Sequence, residues 1–200
     1  MKKFLSLTLA LVMLLGVLAG CGQKETDNDP STTNPTDVTY KSTVTIGCDG
    51  AIYEINPLTM SNWTHNWIFK MIYDRLVSVD STTFEIKPEL ATSWEWISDT
   101  CLEMKLRDDV NFHNGDHMTA ADVVWSFERM KADDATVTNV SLTDLESIEA
   151  VDDYTIRMNL TSPNRDWLTI IAGASFVVLN KASIEMDETS GYYVGTGAFQ

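Results

Sequence analysis

Histidine and cysteine are scarce in this chain of 200 residues, three of each, and its 14 basic residues face 29 acidic ones. Each shortage excludes something. No Cys pair, HExxH or EF-hand pattern accompanies the histidines, so the common sequence frameworks of a metal site are missing. No Gly-x-Ser-x-Gly element marks a serine nucleophile. The glycines from Gly191 to Gly197 have no following lysine and do not form a phosphate loop. A chain this acidic repels a phosphate backbone, which argues against nucleic acid as a partner. No repeat of fixed period is evident. The one long apolar run, at the N-terminus, is shorter than the roughly 20 residues that a bilayer-crossing helix needs.

That run does carry information. Lys2 and Lys3 precede an apolar core from Phe4 to Val17, and small residues then lead to Cys21. This is the layout of a bacterial export signal. The tetrad Leu18-Ala19-Gly20-Cys21 resembles the lipobox of bacterial lipoproteins, which implies cleavage before Cys21 and a diacylglycerol on its thiol. An ordinary cleaved signal with an incidental cysteine is the alternative. After Cys21, residues 21–41 are rich in Asp, Asn, Thr, Ser and Pro and nearly free of large apolar side chains. Such a segment buries too little apolar surface to offset the entropy of ordering and is expected to be a flexible tether. Residues 1–20 are therefore expected to be the signal, 21–41 the tether and 42–200 the folded part. Removing the signal leaves 12 basic residues against 29 acidic ones, a net charge of −17. Cys48 and Cys101 are free to pair outside the cytoplasm. Cys48 shares an apolar strand face while Cys101 alternates with charged residues, which favours two separate thiols.

The remainder suffices for one core. Val44, Ile46 and Cys48 alternate as in a strand, Asp49-Gly50 turns the chain, and Asn56-Pro57 marks a loop. Thr64 to Leu76 is expected to be helical, with Trp67, Ile68, Met71, Ile72 and Leu76 on the buried face. Lys87-Pro88-Glu89 reads as a loop, Trp94 to Ile97 as a strand, and Leu102, Met104 and Leu106 as a half-buried strand leading to Val110 and Phe112. Further on, two strands flank a turn at Val151-Asp152-Asp153, the second with Tyr154, Ile156, Met158 and Leu160 on one face. Asp166 to Ala172 reads as a short helix and Phe176 to Leu179 as a buried strand.

Between these elements lie His113, Asp116 and His117, candidates for a metal site with distant His65. Two histidines four apart share a face only on a helix. Here Asn114-Gly115 supplies the positive φ of a tight turn. Thr119 and Asp122 then form a capping box ahead of a helix whose apolar face is Val123, Val124, Phe127 and Met130. Strand, turn and capped helix is the favoured reading. A secreted metal-dependent enzyme using His113, Asp116 and His117 is the rival from a different class.

Three stretches carry a family resemblance. Lys87-Pro-Glu-Leu-Ala-Thr-Ser-Trp94, Leu102 to Phe127 and Val194-Gly-Thr-Gly-Ala-Phe199 resemble, in order and spacing, signature elements of the family 5 extracytoplasmic solute-binding proteins. These are the peptide, dipeptide and nickel receptors of ABC importers. Ala198 stands where the family usually has proline, and Asn114 where it has aspartate. The resemblance implies a mixed α/β fold of the type II periplasmic-binding-protein kind. It also implies a protein much longer than this one, so the chain is expected to hold part of lobe I with its extra subdomain and none of lobe II.

The implied function is capture of oligopeptides or dipeptides outside the cytoplasmic membrane and delivery to permease subunits, by a monomer anchored through lipidated Cys21, without catalysis, metal or cofactor. Nickel or another small solute is the alternative ligand. In peptide-binding relatives the loop after the first strand borders the cleft, and its backbone can pair with an extended peptide. On that basis Ile52, Tyr53 and Glu54 are the candidate ligand contacts. Trp63 and Trp67 could wall the pocket, although aromatic residues at helical spacing more often belong to a core.

Overall fold

The computed structural model describes residues 45–47, 50–52, 54–59, 62–132 and 139–200, and those from Gly47 onward form one compact unit. The expected signal, Cys21 and the tether lie outside the described residues, as do Cys48, Asp49 and Tyr53. Of the strand expected from Ser42 to Cys48, only Thr45, Ile46 and Gly47 are described, and they are exposed and outside any strand. Among the described residues no helix is long and apolar enough to cross a membrane.

At Asn56-Pro57 the chain turns as expected, with the Asn56 side chain accepting a bond from the Leu58 amide (2.9 Å). Helix α1 spans Trp63–Ile72 and is capped by Asn62, whose Oδ1 accepts from the His65 amide (3.0 Å). Such a cap satisfies one of the amides that a helix start leaves without an intrahelical partner. The buried face is His65, Phe69 and Ile72, running on into Tyr73 and Leu76. This corrects the sequence expectation. Trp67 is 59% exposed, Met71 and Ile68 are half-buried, and the helix stops four residues before Leu76. The stripe is displaced because a histidine faces inward. His65 is admitted by two polar partners, Asn62 and the Glu54 carbonyl, and its ring packs 6.0 Å from that of Phe69.

Strands β1 (Val77–Val79) and β2 (Ile86–Pro88) form an antiparallel pair. The turn between them is closed by Asp80, whose Oδ1 accepts from the Thr82 and Thr83 amides (both 2.8 Å), with Phe84 at φ 60°. Lys87 and Pro88, expected in a loop, therefore sit in a strand. Proline is tolerated there because a two-stranded pair consists only of edges.

The main sheet is antiparallel in the order β3 (Ala91–Ser98), β4 (Cys101–Leu106), β6 (Thr155–Leu160), β5 (Leu145–Asp152). Leu102, Met104 and Leu106 of β4 alternate inward as expected, alongside Ile156, Met158 and Leu160 of β6. Helix α2 (Ala120–Ala132) lies against β5 and β6 and buries Val123, Phe127 and Met130; Val124 is only half-buried. Each such side chain contributes about 1.5–3 kcal/mol relative to exposure. On the outer face Glu103, Arg157 and Glu149 stand opposite one another across β4, β6 and β5 and form ion pairs (2.8 and 3.5 Å). Exposed pairs of this kind add little stability but keep that face wet.

After the β5–β6 hairpin come α3 (Trp167–Ile171), α4 (Lys181–Met186) and α5 (Glu188–Gly191). The first matches the expected short helix. The other two start at the side-chain caps Asn180 and Asp187. Phe176 to Leu179 is buried as expected but makes one isolated bridge, Val177 to Arg75, in place of a strand. It is fixed instead by α2, where Ser126 Oγ accepts from the Leu179 amide (2.9 Å) and Phe127 stacks on Phe176.

Candidate functional site

The turn from Asn111 to His117 places its three candidate ligands on three different partners. Gly115 holds φ at 91°, and the Phe112 amide donates to the Asp116 carbonyl (2.8 Å), closing the turn that the sequence favoured. His113 points toward the far end of the chain. Its Nδ1 accepts from the Gly195 amide (3.1 Å), so Nε2 bears the proton and donates to the Gly197 carbonyl (2.8 Å). His117 turns the other way, to Asn111 Oδ1 and the Tyr154 hydroxyl (both 3.0 Å). Asp116 accepts from Asn114 (2.7 Å) and Asn180 (3.1 Å). The three side chains thus diverge, and no group of three or more possible metal ligands is assembled among the described residues.

His65 is equally committed, buried between Asn62 Oδ1 (2.7 Å) and the Glu54 carbonyl (3.1 Å). Cys101 carries a free, half-buried thiol on β4, and Cys48 lies outside the described residues.

His113 serves a junction. Gly195 and Gly197 lie across the last turn of α1, with the Gly197 amide on the Ile72 carbonyl (2.8 Å) and the Phe199 amide on that of Met71 (3.1 Å). A Cβ on Gly197 would stand 2.5 Å from the Met71 carbonyl oxygen, and one on Gly195 closer still to that of Ile72. Only a residue without a side chain permits this approach. Thr196 accepts from the Asp74 amide (3.1 Å). Burial pushes the Asp74 carboxyl above the usual carboxylate range, against the opposing pull of Thr196, and the nearby Glu89 charge adds to the rise. Two signature stretches far apart in sequence, Phe112-His113-Asn114-Gly115 and Val194-Gly-Thr-Gly-Ala-Phe199, therefore meet at one place.

The candidate ligand loop lies at the other end of α1. Ile52 and Glu54 are exposed, and Tyr53 lies outside the described residues. The loop is held to the first turn of α1 at two points. His65 binds the Glu54 carbonyl, and Gly50 packs so closely on Thr64 that a Cβ there would meet its hydroxyl at 2.8 Å. The sequence reading missed His65 as the tie, although Asn62 three residues earlier is a helix-cap signal that orients it. It also missed a cavity of ≈190 Å³ beside Asn56 and Thr59, whose far wall is Arg129, Glu188 and Tyr192. Arg129 pairs there with Glu188 and donates to the Tyr192 hydroxyl (3.2 Å). The cavity presents the Asn56 amide, the Arg129–Glu188 pair and the Tyr192 ring.

The sequence profile described as "Bacterial extracellular solute-binding proteins, family 5 Middle" matches residues 85–200. Heme-binding protein A of Haemophilus influenzae is 31% identical over 91% of this chain, which spans 36% of that protein's length. Among solved structures, a dipeptide-binding protein from Pseudoalteromonas sp. SM9913 in complex with Met-Leu is 26% identical with a TM-score of 0.63, over 72% of this chain and 34% of that one. NikZ from Campylobacter jejuni in complex with Ni(L-His) is 25% identical with a TM-score of 0.61, over 74% of this chain and 30% of that one. The chain thus spans about a third of the length of these relatives. Its mixed α/β fold corresponds to part of a type II periplasmic-binding-protein-like structure.

Proposed function

The chain belongs to the bacterial extracellular solute-binding proteins of family 5, and from that premise we propose that it is the capturing component of an ABC importer, taking up oligopeptides or dipeptides and passing them to permease subunits. The observation that carries this reading is the match across residues 85–200. Its signature residues also perform a structural task here, where His113, Gly195 and Gly197 lock the end of α1 to the turn that precedes α2. The family is described as one of bacterial extracellular solute-binding proteins. The protein binds and releases its solute unchanged.

In this account the loop around Ile52, Tyr53 and Glu54 offers its backbone to an extended peptide, which gives affinity with little regard for side chains. Residues 1–20 are the export signal, Cys21 carries the lipid that holds the monomer at the outer face of the membrane, and residues 21–41 are the tether to the domain from 42 onward. The solute-binding reading also admits another ligand. Relatives whose names refer to heme and to a nickel–histidine complex make a small chelate the second candidate.

The test is equilibrium dialysis of the protein, expressed from its own gene, against a dipeptide and tripeptide pool, Ni(L-His) and hemin. Saturable peptide retention without hydrolysis is expected. Retention of Ni(L-His) or hemin with no peptide retained overturns the peptide choice. Cys21→Ala is expected to abolish labelling by radioactive palmitate, and persistent labelling overturns the anchor.

A further inference from the structure

The three histidine rings differ in what they face. His65 has both ring nitrogens against oxygens, Asn62 Oδ1 (2.7 Å) and the Glu54 carbonyl (3.1 Å). His117 faces Asn111 Oδ1 and the Tyr154 hydroxyl (both 3.0 Å), and each of these can accept a bond. A second ring proton therefore finds an acceptor at either residue. His113 is the exception. Its Nδ1 receives the Gly195 amide hydrogen (3.1 Å), and only a ring with no proton on that nitrogen can do so. Its Nε2, 2.8 Å from the Gly197 carbonyl, keeps its proton whether the ring is neutral or charged.

A substitute acceptor stands beside the same nitrogen. The Tyr193 carbonyl lies 3.4 Å from Nδ1, slightly beyond the ordinary range of such a bond and within reach of a small shift. One ring nitrogen thus meets a donor and an acceptor two residues apart on one segment, and its protonation state decides which of them it can hold.

The charged groups around the ring are committed elsewhere. On its own turn, Asp116 accepts from Asn114 and Asn180. On α4, reached through the bond from Asn114 to Ser183 (3.1 Å), Lys181 pairs with Glu185 (3.7 Å). At the end of α1 stand Lys70 and then Asp74, which meets the segment through Thr196. The segment itself brings the Tyr193 phenol. Among the described residues none of these groups forms an ion pair with His113.

We propose that His113 is a proton-operated selector at the junction of α1 with the turn before α2. The neutral ring holds the Gly195 amide; the protonated ring releases that amide and takes the Tyr193 carbonyl. Histidine ordinarily changes charge between about pH 5 and pH 8, so mild acid operates the change. The bond to the Gly197 carbonyl and the bond from the His113 amide to the Gly195 carbonyl (2.9 Å) do not need Nδ1. Acid therefore loosens and shifts the segment without detaching it. The device does not depend on which solute the protein binds.

The experiment follows amide exchange at Gly195 by nuclear magnetic resonance in the protein expressed from its own gene. Valine labelled with ¹³C at its carbonyl and glycine labelled with ¹⁵N single out this amide, because Val194-Gly195 is the one Val-Gly step of the sequence. Exchange is expressed relative to a free peptide at the same pH. Between about pH 8 and pH 5 the protection of Gly195 is expected to fall about two- to tenfold, the range of one net hydrogen bond. His113→Asn keeps an acceptor close to the Nδ1 position and cannot take up a proton, so its Gly195 protection is expected to stay level. Asp74→Asn, which touches the segment only through Thr196, is expected to keep the wild-type fall. Level protection in the wild type overturns the selector. A fall that persists in His113→Asn assigns the effect to another group and overturns it as well. Should His113→Asn fail to fold, the imidazole ¹⁵N shifts of the wild type decide. Protonation of Nδ1 in step with the loss at Gly195 supports the selector, and protonation with Gly195 unaffected overturns it.

Discussion

The imidazole of His113 spans two backbone groups of one distant segment, accepting from the Gly195 amide and donating to the Gly197 carbonyl. A third bond, from the His113 amide to the Gly195 carbonyl (2.9 Å), completes the clamp. His113→Ala removes both side-chain bonds and leaves two backbone groups to find water. A loss of about 1–3 kcal/mol in urea unfolding is expected. Unchanged stability in the variant contradicts the clamp.

Gly195 and Gly197 are expected to tolerate no side chain, because the atoms in the way are backbone carbonyls of α1 that cannot swing aside. Gly197→Ala forces α1 and the segment apart and is expected to cost at least about 1–3 kcal/mol, the scale of overpacking. Gly47→Ala, where a Cβ meets nothing within 4 Å, is the matched control. Thermal melts of the two variants side by side decide the point, and equal melting temperatures contradict the close approach.

Asp74 titrates in the opposite sense to a salt-bridged carboxylate. Its folded-state value is raised, chiefly by burial, so the folded chain prefers the protonated form. Its favourable contribution is full below the unfolded value of about 4 and is lost as pH rises through the folded value. Asp74→Asn keeps an acceptor for Thr196 and removes the charge. The variant is expected to melt higher than the wild type at pH 7, with the gap closing toward pH 3. A lower melting temperature at pH 7 contradicts this account.

The start of α2 departs from a reciprocal capping box. Asp122 Oδ2 accepts from both the Thr119 amide (2.9 Å) and the Thr119 hydroxyl (3.0 Å), so the carboxylate carries the cap. Asp122→Ala is expected to cost about 0.5–2 kcal/mol. Thr119→Ser, which keeps the hydroxyl, is expected to change little. Equal losses from both substitutions contradict a cap led by the carboxylate.

Much of the fold was legible where one period dominated. Leu102, Met104 and Leu106 alternate cleanly because β4 is central and half-buried, and the short helix expected from Asp166 to Ala172 is present as Trp167–Ile171. The face of α1 was not legible. Trp67 and Met71 mimic an apolar stripe, and although Asn62 is a local cap signal, nothing local says that His65 also finds the Glu54 carbonyl inside. Phe176 to Leu179 was read correctly as buried but not as a lone bridge, because what holds it is Ser126 on a distant helix. The histidine turn was legible from Asn114-Gly115. The role of His113 was not, since its partners lie some eighty residues away. Of the candidate ligand loop the sequence offered Ile52, Tyr53 and Glu54 by resemblance alone, while its attachment to Thr64 and His65 is a tertiary fact.

The most direct test of the central claim is native mass spectrometry of the protein, expressed from its own gene and purified without denaturation. The account predicts a population carrying one bound peptide that is released intact on unfolding. A protein that instead holds stoichiometric metal, and shows a hydrolytic activity lost in His117→Ala, contradicts it.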